Sequence, residues 1–385
     1  MKTPRSLEGA RTGKSESAAL RRGLLALCSH VPCVSNPPAD PAERRKWAIA
    51  GLAKLYQWFP FRDEDGSRVN RLAPYQIASW ADRWETVHDN APDGLPRARI
   101  VVKSQKIGYT QMALLEDAHI VLSPRAWGRE IIIAAQSQIK ADEHLKNLKD
   151  LFRRSPFRHL LVERRPKTRE GRIWRDALSR SNVAAFLNPA DPDGRPTRVW
   201  AVGITSHGQL LSNTSVEHLH LSDITVADAT PTELDRSIAQ ARSRIIKSRG
   251  TMLIETPAGP PTGYVYDKCR EACRELAGVS EEDRVEGMVG GLVPKKLPPV
   301  APVDTEWARV RRIPWKAAVD AGVLTREALE RDRDEINNPH EFSRLFDADF
   351  LAGALVAYPD AVRRHDIRST TELLESMARL PEGIR

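Results

Sequence analysis

From about residue 97 onward, short apolar runs alternate with longer stretches in which apolar positions recur every three or four residues. The run Arg99 to Lys103 predicts a strand and Tyr109 to Val121 a helix; Glu130 to Ala135 and Ile139 to Phe152 repeat the pair. Asn182 to Phe186 and Thr197 to Val202 predict two shorter strands, read as antiparallel. Val216 to Leu221 and Thr251 to Glu255 add two more, separated by a helix from Glu233 to Lys247. A Gly/Pro-rich loop over 287–303, a strand around 311–315 and a helix from Thr325 to Ile336 follow, with no internal repeats. Strands alternating with helices imply an α/β fold, a mostly parallel sheet with helices on both faces.

Ahead of this region the pattern differs. Between Pro41 and Glu85 the chain is rich in aromatics (Trp47, Tyr56, Trp58, Phe59, Phe61, Tyr75, Trp80, Trp84), and helical spacing over Trp47 to Tyr56 predicts a small helical subdomain. Residues 1–40 lack periodicity, and their Arg, Ser and Pro content predicts a disordered basic arm.

Composition changes this picture little. The chain has 385 residues, 41% apolar and 29% charged, as in an ordinary globular protein. With 59 Lys and Arg against 51 Asp and Glu, its charge of +8 suits a polyanionic partner as well as a plain basic surface. Four cysteines are no disulfide framework. Cys269 and Cys273 stand four apart, yet no further Cys or His pair completes a zinc site. No apolar run approaches the ~18 residues of a membrane span. Arg21-Arg22 is followed by too short an apolar stretch for a twin-arginine export signal.

The segment Val102 to Gln111 carries the first chemistry. A loop between a strand and a helix presents backbone N–H groups and a positive helix end to an anion. The pattern G-x-x-x-x-G-K-[ST] is only partly met. Gly108 and Thr110 fit, whereas Lys103 stands at the first Gly and Tyr109 at the Lys. These residues alone leave a phosphate loop and a plain turn both open.

Lys103 to Thr110 resembles the deviant Walker A of viral terminase large subunits, lambda-type, in which the phosphate-binding Lys opens the loop. Further segments are similar in order. Ala73 to Gln76 resembles the adenine-recognising Gln motif, and Ile131 to Gln138 with the helix over 141–151 resembles the second strand and helix. Trp200 to Ser215 resembles the stretch before Walker B, and His218 to Asp223 Walker B itself. Glu255 to Gly259 resembles the coupling motif, and Thr325 to Phe350 the helix and strand that close the motor. The likeness spans about residues 70–358.

The resemblance implies a P-loop NTPase core of ASCE type over 96–358, preceded by the arm at 1–40 and the helical subdomain at 41–95. It also implies ATP and Mg²⁺ as ligands. Lys103, Ser104, Gln105, Lys106, Ile107, Gly108, Tyr109 and Thr110 would cradle the phosphates, with Gln76 on the adenine edge or serving only as a helix cap. Thr110 and Asp223 would hold the metal. Lys106 would stabilise transition-state charge or be a solvated loop lysine. The family's Glu after the Walker B Asp, which activates water, is replaced here by Ile224. Three readings then stand: Glu255 is a relocated base, Asp228 or Glu233 reaches in, or hydrolysis is lost. His218 and His220 alternate with Leu219 and Leu221, and packing is favoured over a metal pair.

By the same resemblance the chain would translocate double-stranded DNA into a procapsid in the host cytoplasm. Its partners would be a small subunit, a portal, further copies in a ring and a separate nuclease. The alternative is a hydrolysis-deficient nucleotide- or DNA-binding subunit with a role in assembly. A cellular P-loop helicase would need Walker B and arginine-finger motifs that the sequence lacks. The tail 359–385 lies where a nuclease domain would begin, and the 27 residues after Tyr358 are too few for one, so nuclease activity is not expected. Basic stretches at Arg153-Arg154, Arg164-Arg165, Lys167, Arg169, Arg172, Arg175, Arg242, Arg244, Lys247 and Arg249 are candidates for DNA phosphates.

Overall fold

The computed structural model describes residues 21–34, 37–62, 71–88, 98–163, 182–191, 194–204, 216–227, 230–259, 262–277 and 302–348, with a few isolated positions. About half of the arm (1–18, 20, 35 and 36), the basic run 164–175, the segment 205–215, Asp228, most of the loop at 287–303 and the tail lie outside them.

A helix over residues 21–29, then α1 (Pro41–Trp58) and α2 (Pro74–His88), precede the sheet. Leu24, Cys28 and Val31 are buried in the core, so this part of the expected disordered arm is folded against the domain. Asp40 caps α1, its carboxylate accepting from Glu43 N at 2.8 Å, with Pro41 preset for the first turn. Then come β1 (Ala98–Lys103), α3 (Tyr109–Leu122), β2 (Glu130–Ala135), α4 (Gln138–Arg153), β3 (Val183–Phe186), β4 (Thr197–Gly203) and β5 (Val216–Ser222). The chain continues through α5 (Pro231–Ser248), β6 (Thr251–Thr256), α6 (Tyr264–Ala277), β7 (Pro302–Asp304) and β8 (Ala308–Ile313). Three helices, α7 (Trp315–Asp320), α8 (Arg326–Ile336) and α9 (Pro339–Phe346), end the described part.

The eight strands lie in the order β3-β4-β2-β5-β6-β1-β8-β7. The six central strands are parallel, while β3 and β7 pair antiparallel at the edges. One expectation needs correcting: β4 runs parallel to β2, and only β3 opposes it. All residues of β1, β2 and β5 are buried, as expected of strands covered on both faces. Thr325 to Phe350 also differs from expectation, since it holds α8 and α9 and no strand among the described residues.

Helix α3 is buried nearly all round and runs through the centre of the molecule. Its charged residues are therefore paired: Glu116 accepts from Arg99 Nη2 at 2.5 Å, and the Nδ1 of His119 lies 2.8 Å from Arg83 Nη1. Helices α1 and α2 share one unbroken apolar core with α3, α4 and one sheet face, through Leu52, Leu55, Trp80, Leu115, Leu148 and Val199. The aromatic segment is thus packed into the sheet domain. A buried pair, Arg311 Nε to Asp82 Oδ2 at 2.7 Å, fastens α2 to β8.

Strand β6 separates β1 from β5, with Val102 opposite Thr256 and Ser222 opposite Glu255. The carboxyl ends of the three strands therefore meet at one edge, where ligands of open α/β sheets bind.

Candidate nucleotide site

The loop after β1 is held from behind. Ser104 N donates to Ile313 O at 2.7 Å and Gln105 N to Leu345 O at 3.0 Å. Lys106 (φ +60°) and Gly108 (φ +67°) adopt left-handed backbone, so the chain coils on itself and aims successive amides to one side. Tyr75 Oη donates to Ile107 O at 2.8 Å and Gln76 Nε2 to Gly108 O at 3.1 Å, anchoring the carbonyls on the opposite side. Among the described residues the amides of Lys106, Ile107 and Gly108 have no acceptor. The first amides of α3 are unbonded by helix geometry, which adds a partial positive charge.

Below the loop lies a charged cluster. Lys103 Nζ, buried at the end of β1, is 2.8 Å from Asp223 Oδ1 and 3.0 Å from Glu255 Oε2. Burial alone would lower its pKa, but Glu255 and then Asp223 hold it above the usual lysine value. Glu255 is fully buried. Its Oε1 accepts from Ser222 Oγ, lies 3.4 Å from His220 Nε2, and accepts from Thr110 Oγ1 at 3.4 Å. Burial would raise this carboxyl; the Lys103 charge and the His220 bond outweigh it and hold it at about 2. Asp223 is pushed up from the ordinary value by burial and by the Glu255 charge. His220 Nδ1 in turn meets Asp117 Oδ2 at 2.8 Å, and His218 Nδ1 meets Thr251 Oγ1 at 2.7 Å. Both histidines are therefore packed and hydrogen-bonded inside the sheet.

Several expected roles look different in place. Ser104 and Gln105 spend their amides on the protein, so the cradle narrows to residues 106–110. Lys106 points outward to Asp332 of α8 at 2.5 Å, a surface pairing, and does not reach the cluster. Ile107 is buried in the core. Tyr109, in the usual Lys position, turns away from the loop and pairs with the Ser79 hydroxyl of α2. Gln76 is buried with both amide ends engaged, Oε1 accepting from Ala73 N at 2.8 Å, which makes it a cap and a strut for the loop. Glu255 as a general base would need an accessible lone pair; here it is fully enclosed among Ser222, His220 and Lys103. Glu233 closes a capping box with Thr230, accepting from Thr230 N at 2.9 Å.

Asp223 itself sits in left-handed backbone (φ +51°), and Ile224 behind it is buried. The turn that follows is tied to the end of β6. Thr225 N donates to Thr256 Oγ1 at 3.1 Å, and Thr225 Oγ1 donates to Pro257 O at 2.7 Å. Gly259 closes the approach: a Cβ there would stand 2.6 Å from the Cβ of Thr225.

In front of the cluster a cleft of about 210 Å³ opens between α3 and α4, lined by Thr110, Gln111, Ala135, Gln136, His144 and Asp223 among others. The Thr110 hydroxyl and the partly exposed Asp223 carboxylate reach it from two sides. One hydroxyl and one carboxylate suit Mg²⁺, which keeps waters and takes its other ligands from phosphates. Among the described residues no cluster of three His, Cys, Asp or Glu could bind a metal without a nucleotide. Sequence reasoning missed Ser222, Asp117 and His144. The available signal for His144 was a histidine on the apolar face of α4, in line with Ala141, Leu145 and Leu148.

Of the basic candidates, Arg153 pairs with Asp150 and Glu163 at 2.6 Å each, and Arg242 lies over the rings of Tyr264 and Trp307.

A strand inserted between the phosphate-loop strand and the acidic strand, with Lys103, Thr110, Asp223 and Glu255 converging at their ends, defines a P-loop NTPase fold of ASCE type. Among solved structures the chain is similar to phage large terminases. For the HK97 bacteriophage large terminase the identity is 13% and the TM-score 0.47, covering 76% of this chain and 53% of that one. For the large terminase of a thermophilic bacteriophage the figures are 9%, 0.43, 72% and 53%. For the Thermus phage P74-26 large terminase ATPase domain they are 13%, 0.42, 73% and 100%. The chain thus spans about half the length of the first two of these proteins. No model of a known protein family matches it, and no curated protein does.

Proposed function

We propose that this chain is the ATP-driven motor module of a viral DNA-packaging terminase large subunit. The observation that carries the reading is the position of Lys103, a buried cation under the 106–110 loop and between Asp223 and Glu255. A triphosphate entering the loop would bring negative charge to Lys103 and compete with both carboxylates for it. Asp223, released from Lys103, and Thr110 would then be free to hold Mg²⁺, which when bound screens the phosphate charge. The change at Glu255 reaches Thr256 and Pro257 directly through the chain and Thr225 through hydrogen bonds. That path suits a motor, because it links the occupancy of the loop to the turn after β5.

Double-stranded DNA is the proposed track, gripped mainly through its phosphates, since a packaging motor must move any sequence. Work in the host cytoplasm, in a ring docked on a portal and with a small subunit and a separate nuclease as partners, belongs to the same proposal. A specific observation favours a second reading, a nucleotide-binding subunit that does not hydrolyse: Ile224 is buried and Glu255 is locked. Steady-state ATP hydrolysis with and without DNA, alongside binding of a fluorescent ATP analogue, separates the two. Binding with DNA-stimulated turnover supports the motor, binding without turnover supports the second reading, and absence of binding removes both.

A further inference from the structure

Among the described residues, which do not include Asp228, the ATPase reading leaves the attacking water without an expected residue to activate it. Ile224 has no lone pair, Glu255 is enclosed and Glu233 caps its own helix. We propose that His144 is the missing base, its imidazole aiming the water at the γ-phosphoryl group and taking its proton; the inference rests on the ATPase reading above.

His144 lies on the sheet-facing side of α4, only 8% exposed, yet it lines the cleft together with Thr110 and Asp223. Its ring makes no hydrogen bond to any described residue, and neither nitrogen is among the sealed polar atoms left without a partner, so the ring is open to water in the cleft. It stacks on His220 at 6.5 Å with an interplanar angle of 15°, which fixes the ring plane. The neighbouring Glu143 also lines the cleft, but it is about half exposed and paired with Lys140 at 2.9 Å, whereas His144 is held in place by burial. Burial first, and then the His220 charge, bring His144 down to about 4, with Glu255, Asp117 and Glu143 opposing. The ring is therefore neutral at pH 7, with a lone pair free. A triphosphate arriving in the loop adds negative charge nearby and raises the proton affinity of the ring when the water must be activated.

The step balances. The water oxygen bonds to the γ-phosphorus, the bond from that phosphorus to the bridging oxygen breaks, and its electron pair leaves with ADP. The water proton passes to the imidazole and then to solvent through the open side of the cleft.

The test uses the full chain, with ATP turnover and fluorescent-analogue binding measured on each variant. His144→Ala is expected to turn over about 100-fold more slowly with analogue affinity retained within about threefold. Added imidazole, entering the vacated space, is expected to restore part of the rate, which a merely structural defect would not allow. His144→Gln keeps the bulk but takes no proton, so it should lose turnover as fully while keeping the wild-type circular dichroism spectrum; it decides the matter if the Ala variant misfolds. Unchanged turnover in either folded variant, a loss that imidazole does not relieve, or a wild-type chain that binds analogue without hydrolysing it overturns the assignment. A wild-type chain that fails to bind the analogue removes the ATPase reading itself, a result distinct from the others.

Discussion

Lys103 Nζ lies 3.0 Å from Glu255 Oε2, a buried ion pair joining the end of β1 to the end of β6. Ion pairs of this kind are costly to break because the remaining charge is stranded. Lys103→Ala should destabilise the chain by about 3–5 kcal/mol in urea unfolding. Combining it with Glu255→Gln should recover part of that loss. Fluorescent-analogue binding should weaken in the single variant. A Lys103→Ala protein as stable as wild type would show that the cluster is not held as described.

His220 supplies a pH signature. Its proton is held by Asp117 and then Glu255 against the cost of burial, raising it from 6.5 to about 10. A raised folded pKa means that the stabilisation is fully present below about 6.5 and declines as the pH rises through 10. The stability gap between wild type and His220→Asn should therefore be widest near pH 6 and narrow progressively towards pH 10. A gap that is constant across this window would contradict the charged state of the ring.

Gln76 distinguishes a strut from a base reader. Its side chain bonds Ala73 N and Gly108 O, and losing such a buried bond costs about 1–3 kcal/mol. Gln76→Ala should lower the unfolding midpoint and weaken ATP and GTP analogues by a similar factor, because the loop loosens for both. A loss confined to the adenine nucleotide would assign Gln76 to the adenine edge instead.

Tyr109 invites the substitution that would complete the standard motif, and the geometry argues against it. The ring is buried and pairs with Ser79 of α2, away from the loop. Tyr109→Lys would bury an ammonium group beside the Arg99 guanidinium, so the chain should lose several kcal/mol of stability, with no gain in analogue affinity. Tyr109→Phe should cost about 1 kcal/mol. Tighter nucleotide binding by the Lys variant would refute this placement.

Gly259 tests the link between the two strand ends. Its Cβ position stands 2.6 Å from the Cβ of Thr225, so Gly259→Ala forces the turns apart. Overpacking of this kind costs about 1–3 kcal/mol. Thr225→Gly, which removes the opposing atom together with its bonds to Thr256 and Pro257, should cost less in the Gly259→Ala background than in wild type, as read by the urea midpoint.

The sequence by itself determined the succession of strands and helices, because a period of two or of 3.6 is a local property written in neighbouring residues. It also placed Lys103, Gly108, Thr110 and Asp223 at the ends of their strands and in their loop. Side-chain direction, by contrast, was decided only when the chain folded. Tyr109 turns to α2, Lys106 turns to Asp332, and Gln76 spends its amide on the loop, because each sits where a distant element supplies or denies a partner. The same holds for Glu255, which chain position offered as a base and which the meeting of β1, β5 and β6 enclosed between a lysine and a histidine. His144 reached the cleft only through the packing of α4 on β2 and β4. Charge and burial in such a cluster depend on contacts between residues from about thirty to about a hundred and fifty positions apart, and no local pattern encodes them.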